Sequence, residues 1–219
     1  MDQCITDTYF TRSLRRVVAA VAAAALAISP LSAGAMQSPF QTTRAQRHGD
    51  LSAFAKWTSL MPRYNSQKSS VNQCPNGDCP AAKWEDLITE LKGKPVREQL
   101  DAVNEFFNAV KYVEDKDNYG KEDYWATPYE LINNGGDCED YAVAKYITLK
   151  RLGVPENAMR VIILQDNNLG GIMHAVLGVR VGEKQFILDN QAKSVTADAD
   201  IYHYKPIYAI NRSAWWTYN

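Results

Sequence analysis

The chain predicts an α+β domain, with helices in its first part and antiparallel strands in its second. Apolar residues recur at helical spacing as far as Gly153, and Pro155 stops the pattern. Beyond that point the period changes. Residues 160–164, 172–181 and 185–189 are rich in Val, Ile, Leu and Phe and read as strands. The 184 residues after a predicted export signal are the length of one domain with a sizeable core.

Residues 1–35 read as that signal. Arg12, Arg15 and Arg16 precede an apolar run over 17–28, and Ala33-Gly34-Ala35 is a small-x-small cleavage pattern before Met36. The run falls short of the ~20 residues a spanning helix needs, although an uncleaved anchor stays open. No cysteine follows where a lipoprotein needs one, and Arg15-Arg16 leaves twin-arginine export as the alternative to general secretion. The mature chain is therefore expected to be exported.

Residues 36–49 are polar and aperiodic, a flexible lead-in. Leu51, Phe54, Thr58 and Met61 share a helical face that Pro62 should end, and residues 63–82 are loop-forming in composition. Trp84, Leu87, Ile88 and Leu91 form the next stripe, stopped at Gly93. Leu100, Val103, Phe107 and Val110 form another after Pro95. These are core-facing helices. From 111 to 126 the chain turns acidic and irregular, with Glu114, Asp115, Asp117, Asn118, Glu122 and Asp123. Thr127-Pro128-Tyr129-Glu130 is a capping box with proline at the first helical position. Tyr202, Tyr204, Pro206 and Tyr208 read as a final edge strand, because proline cannot donate within a central ladder.

Charge and cysteine usage narrow the function. The mature part carries 21 basic and 23 acidic residues, which leaves no footprint for nucleic acid or an anionic membrane. No internal repeat occurs, and no further apolar stretch approaches spanning length. In an oxidising compartment Cys74 and Cys79 can close the intervening turn as a disulfide, worth roughly 2 kcal/mol on loop entropy. Two reduced thiols or a metal pair are the alternatives. Cys138 is then the odd thiol.

Asp137-Cys138-Glu139-Asp140 follows the breaker Asn133-Asn134-Gly135-Gly136 and opens a helix that runs to Gly153. A thiol in the first turn feels the positive end of the helix dipole, which favours thiolate. Three adjacent carboxylates oppose that. A bound divalent cation would resolve the conflict; a buried structural cysteine on an acidic helix start is the other reading. A cysteine nucleophile needs a base and an orienting group. His48 lies in the lead-in and His203 among tyrosines, whereas His174 lies in a predicted strand with Asp189 at the end of the next. A two-residue turn at Val181-Gly182 would set His174 opposite Asp189. A turn at Gly182-Glu183 would make them diagonal neighbours on one face, still within reach. An odd-length loop would put them on opposite faces.

These residues carry a resemblance. The run from Glu122 through Asp123-Tyr124-Trp125-Ala126-Thr127 to Pro128, then Gly135-Gly136-Asp137-Cys138-Glu139-Asp140-Tyr141-Ala142, then His174 and Leu188-Asp189-Asn190, is similar to the bacterial transglutaminase-like cysteine proteinases. Within them it resembles the LapG-type periplasmic proteases over roughly residues 83–210. The resemblance implies a papain/transglutaminase-like α+β fold, with N-terminal helices and the nucleophile helix packed on an antiparallel β-sheet. It makes residues 83–219 the protease domain, after the signal and a 36–82 stretch of lead-in, short helix and cysteine-stapled loop. It implies Cys138 as nucleophile, His174 as base and then acid, and Asp189 as the group that orients the imidazole, with the Cys138 N–H as an oxyanion donor.

The same resemblance implies calcium beside the nucleophile, with Asp137, Glu139 and Asp140 as candidate ligands. Calcium takes roughly six to eight oxygens, so the acidic loop should add more; of Asp115 and Asp117 we single out Asp117. It further implies cleavage of the N-terminal region of a large repeat-containing surface adhesin, which disperses biofilm, and sequestration by an inner-membrane cyclic-di-GMP receptor. Trp125 and the Trp215-Trp216 pair are read as core or cleft wall. Two alternatives remain: another Cys-His-Asp acyl transferase, either a transglutaminase or a cell-wall amidase, and a calcium-binding interaction module without activity.

Overall fold

The computed structural model describes residues 39–42, 44–68 and 79–218. The predicted signal and Cys74 lie outside them. The stripes of the second and third helices form where their spacing requires, but the first helix buries another face than the one expected: in α1 (Ala55–Lys68) Trp57, Leu60 and Tyr64 turn inward, Thr58 is exposed, and Leu51 and Phe54 precede the helix. In α2 (Pro80–Leu91) the inward residues include Trp84, Ile88 and Leu91. α3 (Val96–Asn108) buries Leu100, Val103 and Phe107. The short α4 (Asp115–Tyr119) crosses the acidic stretch and ends on Gly120 in the left-handed region. α5 (Pro128–Asn134) starts on the expected capping box: Glu130 N donates to Thr127 Oγ1 at 3.3 Å, and Thr127 N donates to Glu130 Oε2 at 2.8 Å. α6 (Cys138–Arg151) is the central helix. Every residue from Cys138 to Leu149 is buried, so it presents no solvated face before its last turn.

α6 packs on α3 and α5 on one side and on the sheet on the other. The strands are β1 (Ala45–His48), β2 (Met159–Asp166), β3 (Ile172–Val181), β4 (Lys184–Leu188), β5 (Thr196–Ala197), β6 (Tyr204–Ile210) and β7 (Trp215–Tyr218). They form one antiparallel sheet in the order β1-β7-β6-β2-β3-β4-β5. β2 and β3 are its middle, paired along the full length of β2 and nearly all buried. The β3–β4 turn is Gly182-Glu183, with Val181 opposite Lys184 and Leu177 opposite Leu188. That register makes His174 and Asp189 diagonal neighbours on one face.

Four other expectations are corrected. Pro62 does not end α1, which runs six residues further to Lys68. An interior proline costs about 3 kcal/mol, and the packing of Trp57, Leu60 and Tyr64 on both sides of it offsets that cost. The lead-in contains β1, an edge strand held by main-chain pairing to β7 and by His48 stacked on Trp215 at 4.2 Å. Its side chains are mostly exposed, so it shows no apolar alternation. The proline-bearing strand β6 is interior, lying between β2 and β7. Pro206 sits where the register shifts between Ile163 and Leu164, a bulge at which a missing donor is tolerated. Finally, α2 begins at Pro80, inside the stretch read as loop; Cys79 caps it and is disulfide-bonded to a partner outside the described residues. Among the described residues no helix is long and apolar enough to cross a membrane.

Candidate active site

The β3–β4 hairpin carries a buried imidazole and a buried carboxylate to each other. His174 Nε2 lies 2.9 Å from Asp189 Oδ1, and neither residue is more than 3% exposed. The same Oδ1 accepts the Gln191 N–H at 2.8 Å, and Oδ2 accepts the hydroxyl of Tyr204 from β6. Burial alone would push this carboxyl up. The hydrogen bond and charge of His174, with the Tyr204 and Gln191 donors, instead hold Asp189 at about 2. It is ionised at neutral pH, so the imidazole proton belongs on Nε2 and Nδ1 is the basic nitrogen.

Cys138 begins α6, which packs on β3. Tyr204 shows how closely these groups gather. Its phenol bonds Asp189, and its ring centroid is 5.9 Å from that of His174. The glycine pair ahead of the thiol is required by contact. Gly135 has φ +82°, and a Cβ there would lie 2.6 Å from Lys111 O. A Cβ on Gly136 would collide with Asp140 and Leu131. The acidic loop is thereby drawn onto the helix start, with Val113 N donating to Gly136 O at 2.9 Å and Asn118 Nδ2 to Gly135 O at 3.0 Å.

Five carboxylates meet behind the thiol. Asp137, Cys138 and Glu139 form one set, Asp115, Asp123 and Glu139 a second, and Asp115, Asp137 and Asp140 a third. Within each set one ligand atom per residue lies within 4.8 Å of the others. Asp115, Asp137, Glu139 and Asp140 are all buried. Glu139 joins the cluster to the thiol, its Oε2 accepting from Cys138 Sγ at 3.4 Å. Burial and then the neighbouring Asp137 push Glu139 well above the usual carboxylate range. Burial and then Asp115 do the same to Asp140, and burial lifts Asp115 to about 6. Asp115 Oδ1, Asp123 Oδ1 and Glu139 Oε1 are buried without a hydrogen-bond donor. Buried oxygens of this number, with lone pairs unclaimed, form the donor set that a hard divalent cation takes.

The structure thus brings Asp137, Glu139 and Asp140 together and leaves Asp117 out. Asp117 is exposed and belongs to none of the three sets. Two residues of helix rotate a side chain by roughly 200°, so α4 turns Asp115 inward and Asp117 out. Asp140 is engaged by backbone as well, accepting from Ala126 N at 2.6 Å and Asp137 N at 3.2 Å. Sequence reasoning missed Asp123, which also pairs with Lys56, and Tyr204. Only the Asp123-Tyr124-Trp125 run pointed to the first. Nothing local distinguishes Tyr204 from the tyrosines around it. Trp125, Trp215 and Trp216 are buried, as expected of core or cleft wall.

A helix-borne thiol, a strand-borne histidine paired with the carboxylate just past the next strand, and an antiparallel sheet define a papain-like cysteine peptidase. The chain belongs to the bacterial transglutaminase-like cysteine proteinase family (BTLCP), whose sequence profile matches residues 70–218. Among solved structures, calcium-bound LapG of Legionella pneumophila is similar with TM-score 0.61 and 33% identity, over 70% of this chain and 86% of that one. LapG treated with EGTA is similar at the same score and identity, over 70% and 83%. No curated protein matches the chain.

Proposed function

We propose that this chain is a calcium-dependent periplasmic cysteine endopeptidase. Its substrate is the N-terminal region of a large repeat-containing surface adhesin, whose release disperses biofilm, and an inner-membrane cyclic-di-GMP receptor restrains it. The observation that carries the reading is Glu139, which touches the Cys138 thiol on one side and the carboxylate cluster on the other. The likeness to LapG in calcium-bound form supports the cation. The cell-surface substrate, the receptor and the compartment rest on the family resemblance.

In this reading His174 Nδ1 takes the Cys138 proton, and Asp189 stabilises the imidazolium. The thiolate attacks a peptide carbonyl, and the Cys138 N–H at the helix start stabilises the oxyanion. His174 then protonates the leaving amine as the C–N bond breaks, and a thioester remains. Water, deprotonated by His174, releases the acyl group and restores the thiol. Asp115, Asp123, Asp137 and Glu139 would hold the calcium, with Asp140 tying the loop to the helix. The ion supplies positive charge that lets these carboxylates stay ionised beside a thiolate.

The test uses a recombinant N-terminal adhesin fragment carrying adjacent small residues, with and without an added primary amine. Hydrolysis at one bond, unchanged by the amine, is expected. Amine incorporated in place of water would make the protein a transglutaminase instead.

Two further outcomes are expected. Tyr204→Phe removes one donor from Asp189 and should slow turnover roughly tenfold with the fold intact, the effect of a lost hydrogen bond to a charged group; an unchanged rate would make Tyr204 mere packing. The second concerns stability. Asp115 is raised to about 6, and Glu139 and Asp140 are raised as well, so the folded state binds more protons than the unfolded chain. In chelator, stability should be full below the ordinary carboxylate pKa of about 4 and fall as pH rises through about 6. Calcium replaces those protons, so the Tm it adds should grow with pH. Thermal unfolding at acid and neutral pH measures this, and an equal gain at both would contradict it.

A further inference from the structure

Lys145 lies two turns after Cys138 on α6 and is fully buried. Among the described residues it has no ion-pair partner. Its Nζ donates to Asn104 Oδ1 at 2.8 Å and Asn108 Oδ1 at 2.6 Å, both on α3, and lies 5.9 Å from the Tyr141 ring centroid. The two amides pass the contact on. Asn108 Nδ2 donates to the carbonyls of Asp189 and Ala192, each at 2.9 Å, and Asn104 Nδ2 reaches Ala192 O at 3.5 Å.

Burying a lone ammonium is costly, and an apolar side chain of similar volume is often neutral or stabilising in its place. Burial pulls Lys145 down to about 7, against which the Asp189 charge favours the ammonium. What the arrangement gains is local order. Residues 189–195, between β4 and β5, have no regular secondary structure, so no strand ladder fixes the Asp189 backbone. We infer that Lys145 is a positioning residue: through Asn104 and Asn108 it clamps the 189–192 loop, which sets Asp189 and thereby the His174 imidazole toward Cys138. The inference rests on reading those three as the catalytic groups.

Lys145→Met keeps length and apolar volume while removing the charge and donors. In the full chain with calcium, acting on the adhesin fragment, it should lower kcat about a hundredfold, the cost of a small misplacement of a reacting group. KM should stay within about twofold, because binding contacts are untouched. Tm should hold or rise. Asn108→Ala, which keeps the lysine and breaks the relay, should lower kcat in the same way. A merely structural lysine would leave kcat per folded enzyme alone, whatever its replacement did to Tm. Wild-type kcat in Lys145→Met overturns the inference; should that variant fail to fold, wild-type kcat in Asn108→Ala does so. Asp189→Asn is the control. If it too turns over normally, the catalytic assignment fails; if it alone is slow, only the positioning role fails.

Discussion

Replacing Cys138 by alanine should abolish cleavage and leave the fold in place. The thiol is buried at the first turn of α6, where the helix is held by packing along its whole length rather than by this side chain. The change removes one sulfur from the core and one weak donor to Glu139 Oε2, so stability should move by only about 1 kcal/mol. Activity should fall to the limit of detection, because no other group can form the acyl-enzyme. Circular dichroism and Tm check the first half, and cleavage of the adhesin fragment checks the second. Turnover by the purified variant would remove Cys138 from the mechanism.

A calcium-selective chelator should abolish activity as completely, and calcium should restore it. Without the ion, the carboxylates around Asp115, Asp137 and Glu139 crowd a low-dielectric site and meet the thiol through Glu139. They must take up protons or spread apart, and either response disturbs the helix start that presents Cys138. Magnesium should substitute poorly, since it demands tight octahedral geometry and keeps its water. Asp137→Ala and Glu139→Ala should mimic chelation, and Asp115→Asn should weaken calcium without touching the His–Asp pair. Asp117→Ala should do nothing, its side chain being exposed and outside the cluster. Full activity of a metal-free preparation would return the acids to a structural role.

How much of this was legible in the sequence depends on the range of the interaction. The α2 and α3 stripes, the α6 helix, the capping box at Thr127 and the β3–β4 hairpin are local patterns, and they appear where expected. The His174–Asp189 contact was legible as well, because a two-residue turn fixes which side chains share a face. What was lost depends on distant partners. β1 pairs with β7 from the other end of the chain, so its polar residues gave no sign of a strand. Pro62 reads as a stop until the packing of Trp57 and Tyr64 is known. Among the loop acids, the choice between Asp115 and Asp117 turns on the rotation of one helical turn that composition does not reveal. Lys145 was invisible for a related reason: a lysine in a helix normally reads as solvated surface.

If calcium and Cys138 together make this chain an endopeptidase, cleavage must need both. The full chain is incubated with the N-terminal adhesin fragment in calcium, in chelator, and in chelator with calcium restored, and intact products are weighed by mass spectrometry. Two fragments whose masses sum to the substrate plus one water are expected in both calcium samples and not in chelator, and none with Cys138→Ala. An uncut fragment in calcium, or the same cut in chelator or by Cys138→Ala, would contradict calcium-dependent cleavage by Cys138.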